Sequence, residues 1–144
     1  MTIKRDYPDR PVIGLGAVIV DDERRVLLIR RASEPLKGQW SLPGGAMELG
    51  ETLLEGVNRE VREETGLEVS IVGPAGVYDR IIRDAAGKTH YQYVLIDYVC
   101  RVSGGELKAG GDAGEVRWVP ENELAQLHIT EFTLPVIRKV LAEL

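Results

Sequence analysis

Six glutamates stand within residues 45–64, at positions 48, 51, 55, 60, 63 and 64, and only Arg59 and Arg62 answer them. Most of the net charge of −5 therefore lies in one short stretch, and the rest of the chain is near neutral. Carboxylates at this density repel one another unless water separates them or a cation joins them, and Mg²⁺ or Mn²⁺ prefers oxygen ligands of this kind. On a helix at about 100° per residue, Glu60, Glu63 and Glu64 share an arc of about 100°. Leu54, Val57 and Val61 form an apolar stripe beside that arc. A merely solvated acidic face belongs opposite such a stripe, so the spacing favours a bound cation. Gly56 falls within the acidic arc, where an interior glycine costs about 1 kcal/mol relative to alanine. Room for a ligand and close packing of a loop account for it equally well.

The helix presenting these residues is predicted over 52–65. Thr52 and Glu55 have the types and spacing of a capping box, and Gly66 suits the residue that ends a helix. Residues 35–45 hold two prolines and three glycines around Trp40 and Leu42 and read as an ordered loop. Before it, the apolar, β-branched residues 12–20, a polar turn at 21–25 and residues 26–29 read as a hairpin. After the helix, residues 69–84 and 88–101 read as β segments around the turn AAGK, with Pro74 and Gly76 breaking the first in two. Residues 103–114 carry five glycines; they are expected to be mobile, as either a plain connection or a substrate lid. A short strand at 116–119, a short helix at 121–127 and a C-terminal helix at 133–144, with Pro135 in its first turn, complete a mixed α/β pattern.

Composition narrows the function classes. With 144 residues, 44% hydrophobic and 28% charged, the chain suits one domain over 1–144 and excludes a disordered or fibrous protein. The longest apolar run, residues 12–20, contains two glycines and falls well short of the ~20 residues of a bilayer span. With no membrane segment and no apolar leader in the first residues, a cytoplasmic location is expected. With the rest of the chain near neutral, a broad basic face for a nucleic-acid backbone is not expected. The lone Cys100 lies in an apolar stretch and reads as a core thiol. Gly14-Leu15-Gly16 begins like a dinucleotide fingerprint, but the third glycine position is Ile19 and no helix follows. His90 and His128 are too distant in sequence to suggest a metal pair.

The segment 45–67, GAMELGETLLEGVNREVREETGL, resembles the Nudix box: Gly45, Glu51, Arg59, Glu60, Val61, Glu63, Glu64, Gly66 and Leu67 fill every specified position. Nine such coincidences arise by chance in roughly one chain of this length in 10⁷. The preceding Trp40, Leu42, Pro43 and Gly44 and the intervening Glu48 also resemble the family. The resemblance implies a single-domain α/β/α sandwich with a mixed β-sheet and Mg²⁺- or Mn²⁺-dependent hydrolysis of a nucleoside diphosphate linked to another group. It further implies Glu60, Glu64 and the Gly45 carbonyl as metal ligands, with Glu63 completing the site. Glu63, then Glu60, then Glu115 are the ranked candidates for the base that activates water. Arg59 points away from Glu64 and reads as a brace paired with Glu51 or Glu55, and Gly44 and Gly66 support the site.

The expected substrate is ADP-ribose or a similar nucleoside diphosphate sugar. Arg80, Arg83, His90, Tyr91 and Tyr93 flank the AAGK turn and offer phosphate, ribose or base contacts, although cross-strand packing explains them as well. A house-cleaning pyrophosphohydrolase of oxidised or non-standard nucleoside triphosphates shares the same metal site. A nucleotide-sugar sensor without turnover is the reading from another class, and it predicts losses among Glu60, Glu63 and Glu64, none of which occurs. The resemblance also implies a homodimer, with the N-terminal strand as a contributor.

Overall fold

The computed structural model describes residues 3–144. Its centre is β1 (Val12–Ile19), apolar on both faces because both are covered. Leu15, Ala17 and Ile19 enter a core shared with Val57 and Val61 of α1 (Leu53–Thr65). Val18 and, just past the strand, Val20 enter a second core with Val136, Ile137, Val140 and Leu141 of α2 (Thr133–Glu143). β2 (Val26–Arg31) divides its side chains in the same way, Leu27 toward α1 and Leu28 toward α2. Strands therefore form the middle layer of an α/β/α sandwich.

One sheet has the order β4-β1-β6-β5, where β4 is Gly44–Ala46, β5 Leu67–Arg83 and β6 Thr89–Gly105. Only the β1–β6 pairing is parallel, from Val12 beside Tyr93 to Ile19 beside Cys100. The other sheet is antiparallel, in the order β3-β2-β7, with β3 at Trp40–Ser41 and β7 at Ala113–Val119. Cys100 is fully buried, as expected of a core thiol, and burial pushes it up to about 12. Among the described residues no helix is long and apolar enough to cross a membrane.

Several expectations change. The polar turn at 21–25 forms, with the Asp21 carboxylate accepting the Glu23 and Arg25 amides, but it does not close a hairpin. β1 and β2 enter different sheets and share only the Val20–Val26 bridge, because each finds longer partners distant in sequence. The expected break at Pro74 and Gly76 is absent: β5 is one strand with bulges there, and as an edge strand it tolerates a residue without an N–H. The glycine-rich segment is shorter than predicted, since β6 runs to Gly105 and β7 starts at Ala113. What remains is anchored: the amides of Glu106, Lys108 and Gly110 donate to the carbonyls of Gly66, Thr65 and Glu64, satisfying acceptors at the end of α1. Residues 121–126 form a 3₁₀ helix, not an α-helix. β1 has both edges paired, and of the outer strands, β4, β5, β3 and β7, the longest is β5.

Candidate active site

The acidic helix is set from both ends. Thr52 Oγ1 accepts the Glu55 amide at 3.2 Å and the Glu55 carboxylate accepts the Thr52 amide at 2.9 Å, so the capping box is complete. Gly66 follows the last turn with φ 75°, a left-handed conformation that favours glycine. Between these ends the buried residues are Gly56, Val57, Glu60, Val61, Glu64 and Thr65. The carboxylates of Glu60 and Glu64 thus lie inside the buried arc itself. Leu54, at the far margin of the predicted stripe, remains 47% exposed. Gly56 is explained by packing: a Cβ there would overlap Leu15 and crowd the Glu51 carboxylate.

Arg59 organises this surface. Its guanidinium donates to both Glu51 oxygens at 2.9 and 2.7 Å, to Glu60 Oε1 at 2.8 Å, to Glu63 Oε2 at 3.3 Å and to the Ala46 carbonyl at 3.1 Å. Glu51 Oε1 also accepts the Glu48 amide at 2.7 Å. The Glu51 carboxyl is consequently held below the usual range, chiefly by the Arg59 hydrogen bond, while Arg59 is held firmly protonated by the same contact. Of the two partners suggested by spacing, Arg59 takes Glu51, because Glu55 is engaged in the cap.

Glu64 and Glu60 face β4. Glu64 Oε1 accepts the Gly44 amide at 2.7 Å, and burial pushes its carboxyl up to about 8 against that hydrogen bond. Burial also raises Glu60, with Arg59 opposing. A Cβ on Gly45 would overlap the Glu60 carboxylate, and one on Gly44 would strike the β1 backbone, so the two glycines let β4 lie this close to α1 and to β1 respectively. The Glu63 side chain is 52% exposed. Among the described residues no three acidic or imidazole side chains converge on one point. In donor chemistry, however, Glu60, Glu64, Glu63 and the adjoining glycine backbone offer the hard oxygen ligands that Mg²⁺ or Mn²⁺ takes. Two buried carboxylates one turn apart, both raised, also gain most from a cation.

A cavity of about 530 Å³ opens beside this helix and is bounded by Gly44, Gly45, Ala46 and Glu64. Of the predicted substrate residues, Arg80 and Tyr93 line it, while Arg83, Tyr91 and His90 do not. Arg83 bonds Thr89 across the hairpin. His90 stacks between Tyr7 and Tyr91, with centroids 4.4 and 4.1 Å away, and its ring nitrogen meets Asp6. Glu115 lies on β7 against Arg30, outside the cavity. The cavity also brings in residues the sequence reading did not single out: Arg5, Arg31, Tyr78, Asp97, Asp112 and Phe132. Asp97 carried a visible signal, as the only charge in the apolar run YVLIDYVC. Arg5, Arg31 and Asp112 sit in segments brought together only by the tertiary fold.

Residues 10–140 match the family model for the NUDIX domain. The chain is 42% identical over 117 residues to the ADP-ribose pyrophosphatase of Methanocaldococcus jannaschii, covering 81% of this chain and 66% of that protein. Its similarity thus spans just under two thirds of that relative's length. It is 33% identical to the nucleoside triphosphatase NudI of Enterobacter, covering 80% of this chain and 86% of that one. The crystal structure of a MutT NUDIX hydrolase from Burkholderia pseudomallei superposes with a TM-score of 0.78 at 30% identity, over 92% of this chain and 99% of the other. With the family model spanning nearly the whole fold, the chain belongs to the Nudix hydrolases.

Proposed function

We infer that the protein hydrolyses the phosphoanhydride of a nucleoside diphosphate linked to a second moiety, with ADP-ribose or a related nucleoside diphosphate sugar as substrate and AMP plus a sugar phosphate as products. The observation that carries this reading is the junction of the cavity with the glutamate helix at Gly44, Gly45 and Glu64. A diphosphate set at that junction leaves the rest of the cavity for the nucleoside. The ADP-ribose pyrophosphatase relative supports the substrate choice.

A divalent ion bound there supplies charge neutralisation on the phosphate oxygens and a lowered pKa for water. Glu60 and Glu64 hold it, with the Gly45 backbone beside them. Water attacks phosphorus, the bond to the bridging oxygen breaks, and the departing phosphate carries the electron pair. Glu63, the most exposed of the three helix carboxylates, takes the proton, with Glu60 as the second candidate. Arg59 acts by position, keeping Glu60 aimed toward β4 while Glu51 anchors it. Arg5 and Arg31, at the cavity wall, attract the diphosphate.

The triphosphate reading draws support from the NudI relative and uses the same helix. Product analysis with Mg²⁺ separates the two. AMP plus ribose 5-phosphate from ADP-ribose supports the first, and a monophosphate plus pyrophosphate from a triphosphate replaces it with the second. A homodimer through the free edge of β5, where Val72, Val77 and Ile81 are exposed, is consistent with either.

A further inference from the structure

The cavity floor contains two charged side chains that the protein leaves unsatisfied. Arg80, on β5, is 8% exposed, and its Nε is the only buried side-chain polar atom without a partner among the described residues. Asp97, on β6, is 6% exposed and receives no protein hydrogen bond; Arg80 is the only charge acting on it. Leaving a buried charged group without hydrogen bonds is expensive, and such groups persist where a ligand completes them. Neither side chain makes a hydrogen bond to another residue among the described residues.

Their surroundings specify what that ligand is. Gly16 lies between Asp97 and Gly44 in the sheet register, and a Cβ on it would overlap the Asp97 carboxylate. A Cβ on Gly14 would come within 2.8 Å of Leu95. These two glycines let the Asp97 and Leu95 side chains lie across the cavity-facing side of β1. The Arg80 guanidinium rests 5.1 Å from the Phe132 ring centroid, so it is positioned by an aromatic face while its N–H groups stay free. Tyr78, Tyr93 and Leu95 complete an aromatic and apolar enclosure. A carboxylate here repels phosphate, so this part of the cavity suits the uncleaved end of the substrate and the diphosphate belongs at the Gly45–Glu64 end. The group that fits is a flat heteroaromatic ring with a donor next to an acceptor on one edge.

We propose that Asp97 and Arg80 read the base of the substrate, Asp97 accepting from the exocyclic amino group of adenine and Arg80 donating to the neighbouring ring nitrogen. Hypoxanthine and guanine carry an oxo group in place of the amino group and an N1–H in place of the ring acceptor, so in the same pose the order of donor and acceptor is reversed, an oxo oxygen facing Asp97 and an N–H facing Arg80. Burial pushes Asp97 up to about 6, so at neutral pH it is predominantly the ionised acceptor that this contact needs. The inference rests on the nucleotide-hydrolase reading and concerns the uncleaved half of the substrate.

The test is kcat/KM for ADP-ribose, IDP-ribose and GDP-ribose with the wild type and Asp97→Asn. The wild type is expected to prefer adenine by about 10- to 100-fold. Asp97→Asn, which can donate to an oxo group, is expected to lower turnover of ADP-ribose and raise that of IDP-ribose, shifting their ratio at least about tenfold. ADP-ribose dimethylated at the amino nitrogen, given to the wild type, is expected to lose as much as IDP-ribose does, and this arm needs no variant to fold. Equal effects of Asp97→Asn on all three substrates, full activity on the dimethylated analogue, or a wild-type preference for guanine or hypoxanthine would overturn the inference and leave the hydrolase reading intact. If only triphosphates are cleaved, the sugar reading fails instead, and the same base comparison on ATP, ITP and GTP decides this one.

Discussion

The two ends of the cavity satisfy their charges in opposite ways. At the α1 end nearly every polar group has a partner within the chain: Arg59 bridges Glu51, Glu60 and Glu63, Thr52 and Glu55 cap each other, and Gly44 donates to Glu64. At the floor, Arg80 and Asp97 are as deeply buried and have no hydrogen bonds with the protein. The helix end is thus built to hold its shape before anything binds. The floor is unfinished as protein chemistry, and on the proposed reading a ligand completes it. Rigidity is concentrated at the glutamate helix, where the proposed bond breaking demands fixed positions, and unmet hydrogen-bonding capacity at the floor, where the proposed base contact lies.

The comparison fails if the two ends respond alike to substitution. The largest effect expected is Glu64→Gln, lowering Mg²⁺-dependent kcat/KM by about 10³-fold, several kcal/mol of transition-state stabilisation. In EDTA at pH 8 the same variant should melt no lower than the wild type, since it removes a buried charge crowded by Glu60; calorimetry checks this. Arg59→Ala should destabilise the fold by about 3 kcal/mol in urea titration, because Glu51 and Glu60 lose their counter-charge while partly buried. Arg80→Met removes a buried guanidinium without hydrogen bonds, which offsets the loss of the one counter-charge acting on Asp97, so stability should change by less than about 1 kcal/mol, in either direction, while KM rises. A loss as large as that of Arg59→Ala would mean that the floor is also structural.

A separate effect concerns pH. The folded state holds the Asp97 proton more tightly than the unfolded chain does, at about 6 against 3.8. Its contribution to stability is therefore complete below pH 3.8 and is lost as pH rises through 6. Asp97→Asn should flatten the stability profile over that window by about 1 to 2 kcal/mol. An unchanged slope would place the titrating group elsewhere.

What the sequence revealed follows the same division. Helical period, the Thr52–Glu55 spacing and Gly66 are local signals, and they located α1 and its carboxylates because a helix is specified by residues a turn apart. The turn at Asp21 was equally local and formed, yet the hairpin read from it did not, since strand pairing depends on which distant segment competes for the edge. For the same reason Arg80 and Tyr93 were singled out only alongside Arg83 and Tyr91, which face elsewhere. Asp97 gains its meaning from Gly16, and that contact exists only through the parallel β1–β6 pairing.

That pairing also sets an order of assembly. During synthesis α1 and its cap can form once Gly66 has emerged, and β4 can already find β1. The other edge of β1 stays open until the segment from Tyr93 to Cys100 arrives, because no earlier strand competes for it. Long-range parallel pairing is slow, and an apolar strand waiting with one edge unpaired is a template for the wrong partner. Conditions that delay β6 should therefore yield aggregate in place of a partly active enzyme. The nascent chain holds its carboxylate helix well before the β6 wall of the cavity exists.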